Sequence, residues 1–178
     1  TASNTPTQTP TPAPSLTPTN TSTSTPTAPP PASIFSHADF TYNGDGQRVK
    51  SVMTTNVGTT TTYFVGPHYE VTDGGTVTKY YFAGAQRIAM RSGGTLYYTM
   101  SDHLGSTSLT TFANGNVVSE MRYKAWGEVR YASGNTPTKY QYTGQYSYQS
   151  DFGLLFYNAR WYDSSLSRFA QADTDVPA

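Results

Sequence analysis

Asp102-His103-Leu104-Gly105-Ser106-Thr107 begins the stretch that decides the fold, and Gly153-Leu154-Leu155-Phe156-Tyr157-Asn158-Ala159-Arg160-Trp161-Tyr162-Asp163 lies near its end. Between them stand Trp126-Gly127-Glu128 and Tyr142-Thr143-Gly144-Gln145. Throughout residues 101–173, aromatic segments alternate with glycine-containing turn sequences, and no catalytic constellation stands out. Because aromatic residues favour pleated strands and glycine favours tight turns, this stretch predicts a β-structural core.

Alternating residues extend the strand pattern outward from this core. In residues 117–124 one face carries Val117, Ser119, Met121 and Tyr123, and charged residues dominate the other. In residues 86–91 the same period places Ile88 and Met90 on one face, and Arg87, Ala89 and Arg91 on the other. Residues 60–65, 78–82 and 96–100 are rich in β-branched and aromatic types. A period of two with charge on one side predicts a sheet with one wet face.

Glycines at nearly constant spacing indicate a repeat. Intervals of 19, 21, 19 and 19 residues separate Gly75, Gly94, Gly115, Gly134 and Gly153. A unit of this size cannot close a core alone, so successive units must stack. The predicted fold class is all-β: an array of antiparallel β-hairpins of about twenty residues each that forms a curved or spiralling sheet.

Composition divides the chain into three predicted parts. Residues 1–33 hold nine of the twelve prolines and eleven threonines without a charged residue, which predicts an extended Thr/Ser/Pro-rich arm or stalk. Residues 34–77 are predicted as degenerate hairpins and residues 78–178 as the main β-hairpin domain. The arm is also a candidate for glycosylation. Its candidate sites are Asn20, in the sequon Asn20-Thr21-Ser22, and Thr17, Thr19, Thr21, Thr23 and Thr25.

The overall composition excludes several classes of function. The formal net charge is +0 and 12% of residues are charged, which offers little attraction to nucleic acid or anionic lipid. The absence of cysteine excludes disulfides and thiol catalysis. Apolar runs are too short for a membrane span. Because the chain begins at Thr1, we expect a processed or excised piece of a longer protein.

The ordered motifs of residues 78–173 resemble the RHS-repeat-associated core domain of bacterial YD-repeat (RHS) proteins. Residues 40–77 are similar to a more degenerate YD repeat, with Tyr42-Asn43-Gly44-Asp45-Gly46-Gln47-Arg48-Val49 as its recognisable piece. The resemblance implies a hairpin array that, in long members, spirals into a hollow shell around a toxin or another payload. Here Ser164-Ser165 follows Asp163, where the family usually has Asp-Pro. About six hairpins are too few to enclose a protein cargo alone.

Enzymatic readings have little support in the sequence. His37, His68 and His103 lie far apart without metal-ligand spacing. Asp102 and His103 would point to opposite faces of an extended strand, so they do not predict an acid/base pair. An aspartate pair at Asp173 and Asp175, and a calcium site at Asn43, Asp45 and Gln47, are weaker candidates. We therefore predict no catalytic residue, cofactor or metal site.

The most motif-like residues are predicted to set turns and strand junctions. They are Asp102, His103, Gly105, Trp126, Gly127, Gly144, Tyr157, Arg160, Tyr162 and Asp163. A hydrogen-bonding role in a turn is the expectation for the Asp102-His103 pair.

These observations predict a non-catalytic structural subunit, secreted or on the surface of a bacterium, that assembles into a filament or surface layer. The predicted partner is another copy of the chain, engaged through the N-terminal arm and the sheet edges, with covalent glycans on the arm. Low charge and abundant tyrosine suit a surface covered by copies of itself. Two alternatives stay open: a fragment of an RHS toxin-encapsulating shell, and an adhesin or glycan-binding module in which Trp126 contacts sugar.

Overall fold

A computed structural model describes residues 34–172 of the chain. The N-terminal arm, with its candidate glycosylation sites, and residues 173–178, with Asp173 and Asp175, lie outside the described residues. Ten antiparallel strands form one sheet in which every strand pairs with the next along the chain. They are β1 (Phe35–Tyr42), β2 (Arg48–Thr55), β3 (Gly58–Val65), β4 (Tyr69–Thr72), β5 (Val77–Ala83), β6 (Gln86–Ser92), β7 (Thr95–Ser101), β8 (Thr107–Phe112), β9 (Val117–Tyr123) and β10 (Val129–Gly134).

A second sheet of four strands follows in the same consecutive order. It consists of β11 (Tyr146–Tyr148), β12 (Leu154–Tyr157), β13 (Arg160–Asp163) and β14 (Arg168–Phe169), with one helical turn, α1 (Gln149–Phe152), between β11 and β12. Short 3₁₀ turns occupy Gly66–His68 and Tyr142–Gly144. The predicted all-β hairpin array is confirmed. The predicted boundary between residues 77 and 78 falls within β5, whereas the change of sheet comes after Gly134.

The four-stranded sheet is buried on both faces, because the larger sheet curls around it. One face supplies Tyr146, Tyr148 and Phe156 to a cluster with Phe64 and other side chains of β1–β3. The opposite face supplies Leu155 and Tyr162 to a second cluster with Tyr142 and Tyr123. Alternation along β12 explains this arrangement, since Leu155 and Phe156 point to opposite faces and both are buried. The core therefore consists of two clusters rich in aromatic rings, one on each face of the four-stranded sheet.

One hairpin geometry recurs at six turns. In each, the N–H of a first residue donates to the carbonyl four residues on, and a glycine N–H three residues on donates back to the first residue's carbonyl. Each of these glycines has positive φ. Five of the turns fit a type I turn closed by a left-handed residue, whereas in the turn of Gly144 the preceding Thr143 also has a positive φ of 49°. The six glycines are Gly46, Gly75, Gly105, Gly115, Gly127 and Gly144.

The predicted twenty-residue glycine period is wrong at its last two positions. Gly134 is the final residue of β10, where a Cβ would lie 2.0 Å from the backbone oxygen of Val118, so glycine permits close strand approach there. Gly153 ends α1 in the left-handed conformation, with φ of 88°. Gly75 and Gly115 do lie in hairpin turns, and Gly94 lies in the short turn between β6 and β7. Glycine serves three different backbone needs in this chain, so its spacing alone overestimates the regularity of the hairpins.

The predicted facing of β6 is also wrong. Tyr81 pairs with Ala89 and Phe82 pairs with Arg87, which leaves Ile88 as an extra residue in a β-bulge. A bulge shifts the alternation by one residue, so Arg87 turns toward the buried face that carries Met90. Ile88 is instead 40% exposed, while Met90 is fully buried.

Candidate functional site between the two sheets

Two arginines are turned inward by matching irregularities of the large sheet. In β2 the register passes from Thr41 opposite Lys50 to Tyr42 opposite Arg48, so Val49 is an extra residue as Ile88 is in β6. Both arginines stand directly before the extra residue, in the sequences Gln47-Arg48-Val49 and Gln86-Arg87-Ile88. Bulges re-aim side chains, and here both re-aim a guanidinium group into the space between the sheets.

The guanidinium group of Arg48 sits in a box of aromatic rings. Its Cζ lies 4.1 Å from the ring centre of Phe156, 4.2 Å from that of Phe64 and 4.5 Å from that of Tyr146. Its Nη1 donates to the hydroxyl of Tyr148 at 3.0 Å. A cation over several ring faces is attracted by their quadrupoles, and the attraction grows when water is excluded. Arg48 thus joins β2 to the four-stranded sheet.

Arg87 is held by stacking. Its Cζ lies 3.6 Å from the ring centre of Tyr140 and 4.9 Å and 5.0 Å from those of Tyr80 and Phe82. Its Nε is buried without a hydrogen-bond partner among the described residues, and the same holds for the Nε of Arg48. Burial lowers the pKa of Arg87 from its ordinary value, and the neighbouring tyrosines and Glu70 partly offset this effect.

Glu70 is a buried acidic side chain that interacts electrostatically with both arginines. Its Oε1 accepts a hydrogen bond of 2.6 Å from the hydroxyl of Tyr80, and its buried Oε2 has no partner among the described residues. Burial raises the pKa of Glu70, although the Tyr80 hydrogen bond and the charges of Arg48 and Arg87 act in the opposite direction. Burial, together with the nearby Glu70 charge, also raises the pKa of Tyr140 to about 12.

A cavity of about 700 Å³ opens between the sheets at this point. Both arginines line it, together with Tyr140, Tyr146, Phe64 and Phe156. The turn carrying Asp45 forms part of its exposed rim. Cationic donors surrounded by rings, with little opposing charge, form an arrangement suited to holding an anionic group.

The sequence-predicted motif residues lie mostly in the turns beside this region. Asp102 Oδ1 accepts the backbone N–H groups of Leu104 and Ser106 at 2.9 Å and 2.8 Å. This bonding holds a turn, and His103 in that turn is exposed. The segment is therefore a turn rather than the extended strand considered above. Gly105 follows with φ of 82°, and Gly144 adopts φ of 71° in a turn that comes close to it.

A second group of motif residues joins the end of the large sheet to the small one. The Tyr162 hydroxyl donates to the carbonyl of Trp126 at 3.1 Å, and the Trp126 side chain is 63% exposed. The hydroxyls of Tyr157 and Thr143 share a hydrogen bond of 2.5 Å. Arg160 stacks over the ring of Phe169, with 3.8 Å from its Cζ to the ring centre. These contacts fix the position of the small sheet.

Asp163 closes the turn after β13. Its Oδ1 accepts the hydroxyl and N–H of Ser165 and the N–H of Leu166, at 2.6, 2.9 and 3.1 Å. The Ser165 hydroxyl hydrogen bond is the largest cause of a lowered pKa of Asp163. Ser164, at the position where the family usually has proline, is buried and accepts a hydrogen bond of 2.7 Å from Gln149 Nε2. The departure from the family pattern thus places a hydroxyl where α1 can use it.

The candidate ion site at Asn43, Asp45 and Gln47 is a hydrogen-bonded turn in the structure. Asn43 Oδ1 accepts the N–H groups of Asp45 and Gln47 at 3.1 Å and 2.9 Å. Within residues 34–172, no three His, Cys, Asp or Glu side chains gather in a metal-ligand arrangement. No helix in that same range has the length and apolar character to cross a bilayer.

Arg48 and Arg87 are the site residues that the sequence reasoning missed. Strict alternation predicts Arg87 on the wet face, and the sequence shows Arg48 only as part of a repeat motif. The signal that was present is the recurrence of Gln-Arg followed by a β-branched residue, shortly after a glycine turn, at Gln47-Arg48-Val49 and Gln86-Arg87-Ile88. A charged residue that recurs at one place in two separate hairpins, β1–β2 and β5–β6, points to a shared structural position.

Two curated proteins are similar to parts of the chain. Salivary gland surface protein 1 of Aedes aegypti is 33% identical over 101 residues, which is 55% of this chain and 3% of that protein. The tRNA3(Ser)-specific nuclease WapA of Bacillus spizizenii is 26% identical over 148 residues, which is 78% of this chain and 6% of that protein. The chain therefore spans only a small part of the length of either relative.

Solved structures of Tc toxin proteins share the fold. The crystal structure of TcdB2-TccC3-Cdc42 superposes with a TM-score of 0.66 at 17% identity, covering 77% of this chain and 8% of that chain. The structure of a Photorhabdus luminescens Tc holotoxin pore gives a TM-score of 0.64 at 18% identity, with the same coverage of 77% and 8%. At such identities the likeness concerns the fold.

A family profile supplies the assignment. The profile described as Teneurin YD-shell matches residues 37–177, well over half of the chain and nearly all of its described strands. The match agrees with the RHS and YD-repeat resemblance of the turn motifs and with the curled hairpin sheet, and it confirms that resemblance. The chain is a member of the teneurin YD-shell family.

Proposed function

We propose that this chain is a segment of the wall of an RHS-type YD-repeat shell in a secreted or cell-surface protein, with a structural and non-catalytic role. The observation that carries the proposal is the curled ten-stranded sheet. Its order runs from β1 to β10 without a crossover, and among the described residues neither β1 nor β10 has a strand on its outer side. Such a sheet can be continued by further hairpins at an edge, which is how a wall would be extended.

The small share of each relative that the chain covers supports its assignment to one segment of a longer shell wall. The chain covers 3% and 6% of the two curated relatives and 8% of the toxin chain, as one segment of a much longer wall would. The nuclease activity in the name of WapA is not proposed for this chain, whose formal net charge of +0 offers no general attraction to RNA. The filament, the glycan-bearing arm and the adhesin stay predictions from the sequence.

Light scattering and electron microscopy of the purified chain test the proposal against the filament. A wall segment is expected to give discrete small particles, because its continuation would be supplied by another part of a longer polypeptide. Regular fibres of the chain alone would contradict the wall proposal and favour the filament. A variant lacking residues 1–33 is the control, since the filament prediction requires loss of fibres in that variant and the wall proposal requires no change.

Hydrogen exchange at β1 gives a second readout. An edge strand leaves half of its backbone groups to solvent, so outward-facing amides of β1 should exchange faster than those of β2. Fusing an additional antiparallel hairpin directly before Ile34, in place of the arm, is expected to slow exchange along β1 if that edge accepts a further wall strand. Unchanged exchange in a folded fusion would argue against continuation at this edge.

A further inference from the structure

The cavity between the sheets has an imbalance of charge. Arg48 and Arg87 both line it. The buried acid on which their charges act is Glu70, whose Oε1 accepts a hydrogen bond of 2.6 Å from the Tyr80 hydroxyl. Asp45 lies on the exposed rim, and neither arginine is within salt-bridge distance of it or of Glu70 among the described residues. Two guanidinium groups therefore face this space without a paired carboxylate. Buried charges are ordinarily paired, because removal from water is costly.

The donors of Arg87 are fixed in orientation. Stacking at 3.6 Å on Tyr140 holds the plane of the guanidinium, and the bulge at Ile88 sets its direction. The described residues give this group three ring faces but leave Nε without an acceptor. Ring faces cannot satisfy N–H donors that point along the guanidinium plane. Nε itself is closed off from solvent, so the terminal Nη atoms of Arg87 are the donors that a planar anion in the cavity can meet in a bidentate contact.

The walls of the cavity select the kind of anion. Besides the arginines, they are formed by rings of Phe64, Phe156, Tyr140 and Tyr146, which suit a methylene-bearing group. A volume of about 700 Å³ exceeds the needs of a single small ion and lies in the range of ligand pockets. Two cations opposed by one buried acid leave a surplus of one positive charge, which a monoanion neutralises.

We propose that this cavity binds the carboxylate of an acidic peptide side chain, with Arg48 and Arg87 as the donors and the surrounding rings as the walls for its methylene groups. A phosphate group would carry more negative charge than the surplus and no apolar stem for the rings. The peptide comes either from another part of the same polypeptide or from a separate chain held against this wall, and its carboxylate is the shared chemistry.

Nuclear magnetic resonance of the side-chain Nε–H groups in the ¹⁵N-labelled chain tests the proposal, because these signals respond to a ligand bound at the adjoining Nη atoms. The probe is the capped tripeptide acetyl-Ala-Glu-Ala-amide, added at constant ionic strength, with acetyl-Ala-Gln-Ala-amide as its neutral counterpart. We expect saturable shifts of the Arg48 and Arg87 Nε–H signals with the glutamate peptide and none with the glutamine peptide. Equal shifts with both peptides, or none with either, would overturn the proposal.

Two variants on one strand supply the matched control. Arg87→Lys keeps the charge but loses the planar fork, so binding of the glutamate peptide should weaken about tenfold. Arg91→Gln removes an exposed arginine that donates to the Gly94 carbonyl at 2.8 Å, and binding should be unchanged. If Arg87→Lys does not fold, the comparison of the glutamate and glutamine peptides on the unmodified chain still tests the proposal. Unweakened binding by folded Arg87→Lys would contradict bidentate recognition.

Titration with inorganic phosphate and a shortened chain complete the test. Phosphate that shifts the two Nε–H signals at lower concentration than the glutamate peptide would overturn the assignment to a carboxylate. A chain lacking residues 173–178 then tests whether this segment, which carries Asp173 and Asp175, supplies the carboxylate. Tighter binding of added peptide by that shortened chain supports a ligand from residues 173–178, and unchanged binding supports a ligand from elsewhere.

Discussion

Gly127 lies against the ring of Tyr142 with no room for a side chain. A Cβ at Gly127 would stand 2.5 Å from Cδ1 of that ring, and the Tyr142 hydroxyl donates to the carbonyl of Ala125 at 2.8 Å. The ring therefore packs flat on the turn that ends β9 while its hydroxyl bonds the same turn. This pair of residues joins the last hairpin of the large sheet to the small sheet.

Gly127→Ala should destabilise the chain through this contact. The methyl group collides with a buried ring, and overpacking of this kind costs about 1–3 kcal/mol in addition to backbone strain. Gly115→Ala is the matched control, because Gly115 has φ of 89° against 93° for Gly127 and nothing within 4 Å of its Cβ position. Urea unfolding should show a larger loss for Gly127→Ala. Equal losses in the free energy of unfolding would mean that backbone strain, and not the contact with Tyr142, causes the destabilisation.

Asp102→Ala should remove the support of its turn. Two backbone N–H groups lose their acceptor, so we expect a loss of about 1–2 kcal/mol in the free energy of unfolding. Asp102→Asn keeps one side-chain oxygen and should lose less. His103→Ala changes an exposed side chain in the same turn and is expected to stay within about 0.5 kcal/mol of the unmodified chain. A larger loss of stability in His103→Ala would show that the His103 side chain stabilises the turn, which its exposed position does not predict.

Glu70→Gln should change the pH dependence of stability. The pKa of Glu70 is raised above the usual 4.5 in the folded chain, so the folded state binds this proton more tightly than the unfolded state. Its contribution is fully present below the unfolded-state pKa and is lost as pH rises through the folded-state pKa. Urea unfolding across that range should therefore show the stability of the unmodified chain falling relative to that of Glu70→Gln.

The glutamine side chain can still accept from the Tyr80 hydroxyl, so the comparison isolates the ionisation of Glu70. Glu120→Gln provides the control, because Glu120 pairs with Arg122 at 2.7 Å on a largely exposed surface. That variant should keep the downward trend with pH seen in the unmodified chain. A Glu70→Gln variant with the same trend would show that Glu70 titrates alike in both states.

Arg48→Gln should weaken the contact between the two sheets. The substitution removes a cation from three ring faces within 4.5 Å and its hydrogen bond to Tyr148, which together should cost about 2–4 kcal/mol. Arg91→Gln, on an exposed site, should cost no more than about 0.5 kcal/mol. Thermal unfolding monitored by near-ultraviolet circular dichroism would report the tyrosine environment directly. Similar melting temperatures of the two variants would contradict a stabilising role of Arg48 between the sheets.

The strands and the fold class could be predicted from the sequence because both are set by local chemistry. The run Leu96–Met100 is rich in aromatic and β-branched types, and the structure contains β7 there. The facing of Arg87 could not be predicted in the same way. A β-bulge shifts the side-chain alternation without any required change of residue type, so the period of two misleads from that residue on.

The cavity between the sheets could not be predicted because it depends on distant segments. Arg48 meets Tyr148 across 100 residues of sequence, and no local pattern encodes that distance. The mispredicted role of Gly134 has the same origin, since the close approach to Val118 is a tertiary contact. The repeated Gln-Arg pairs were visible, but their common facing follows from the bulges and not from their spacing.

The burial of the small sheet inside the curl of the large one has a consequence for synthesis. β11–β14 leave the ribosome after β1–β10, yet β1–β3 need their rings to complete a core. Until β11–β14 emerge, the early hairpins display an unfinished aromatic face, and contacts of such long sequence separation form slowly. Chaperones that hold nascent chains would therefore meet this protein early, and a stalled or shortened translation product should aggregate rather than remain partly folded.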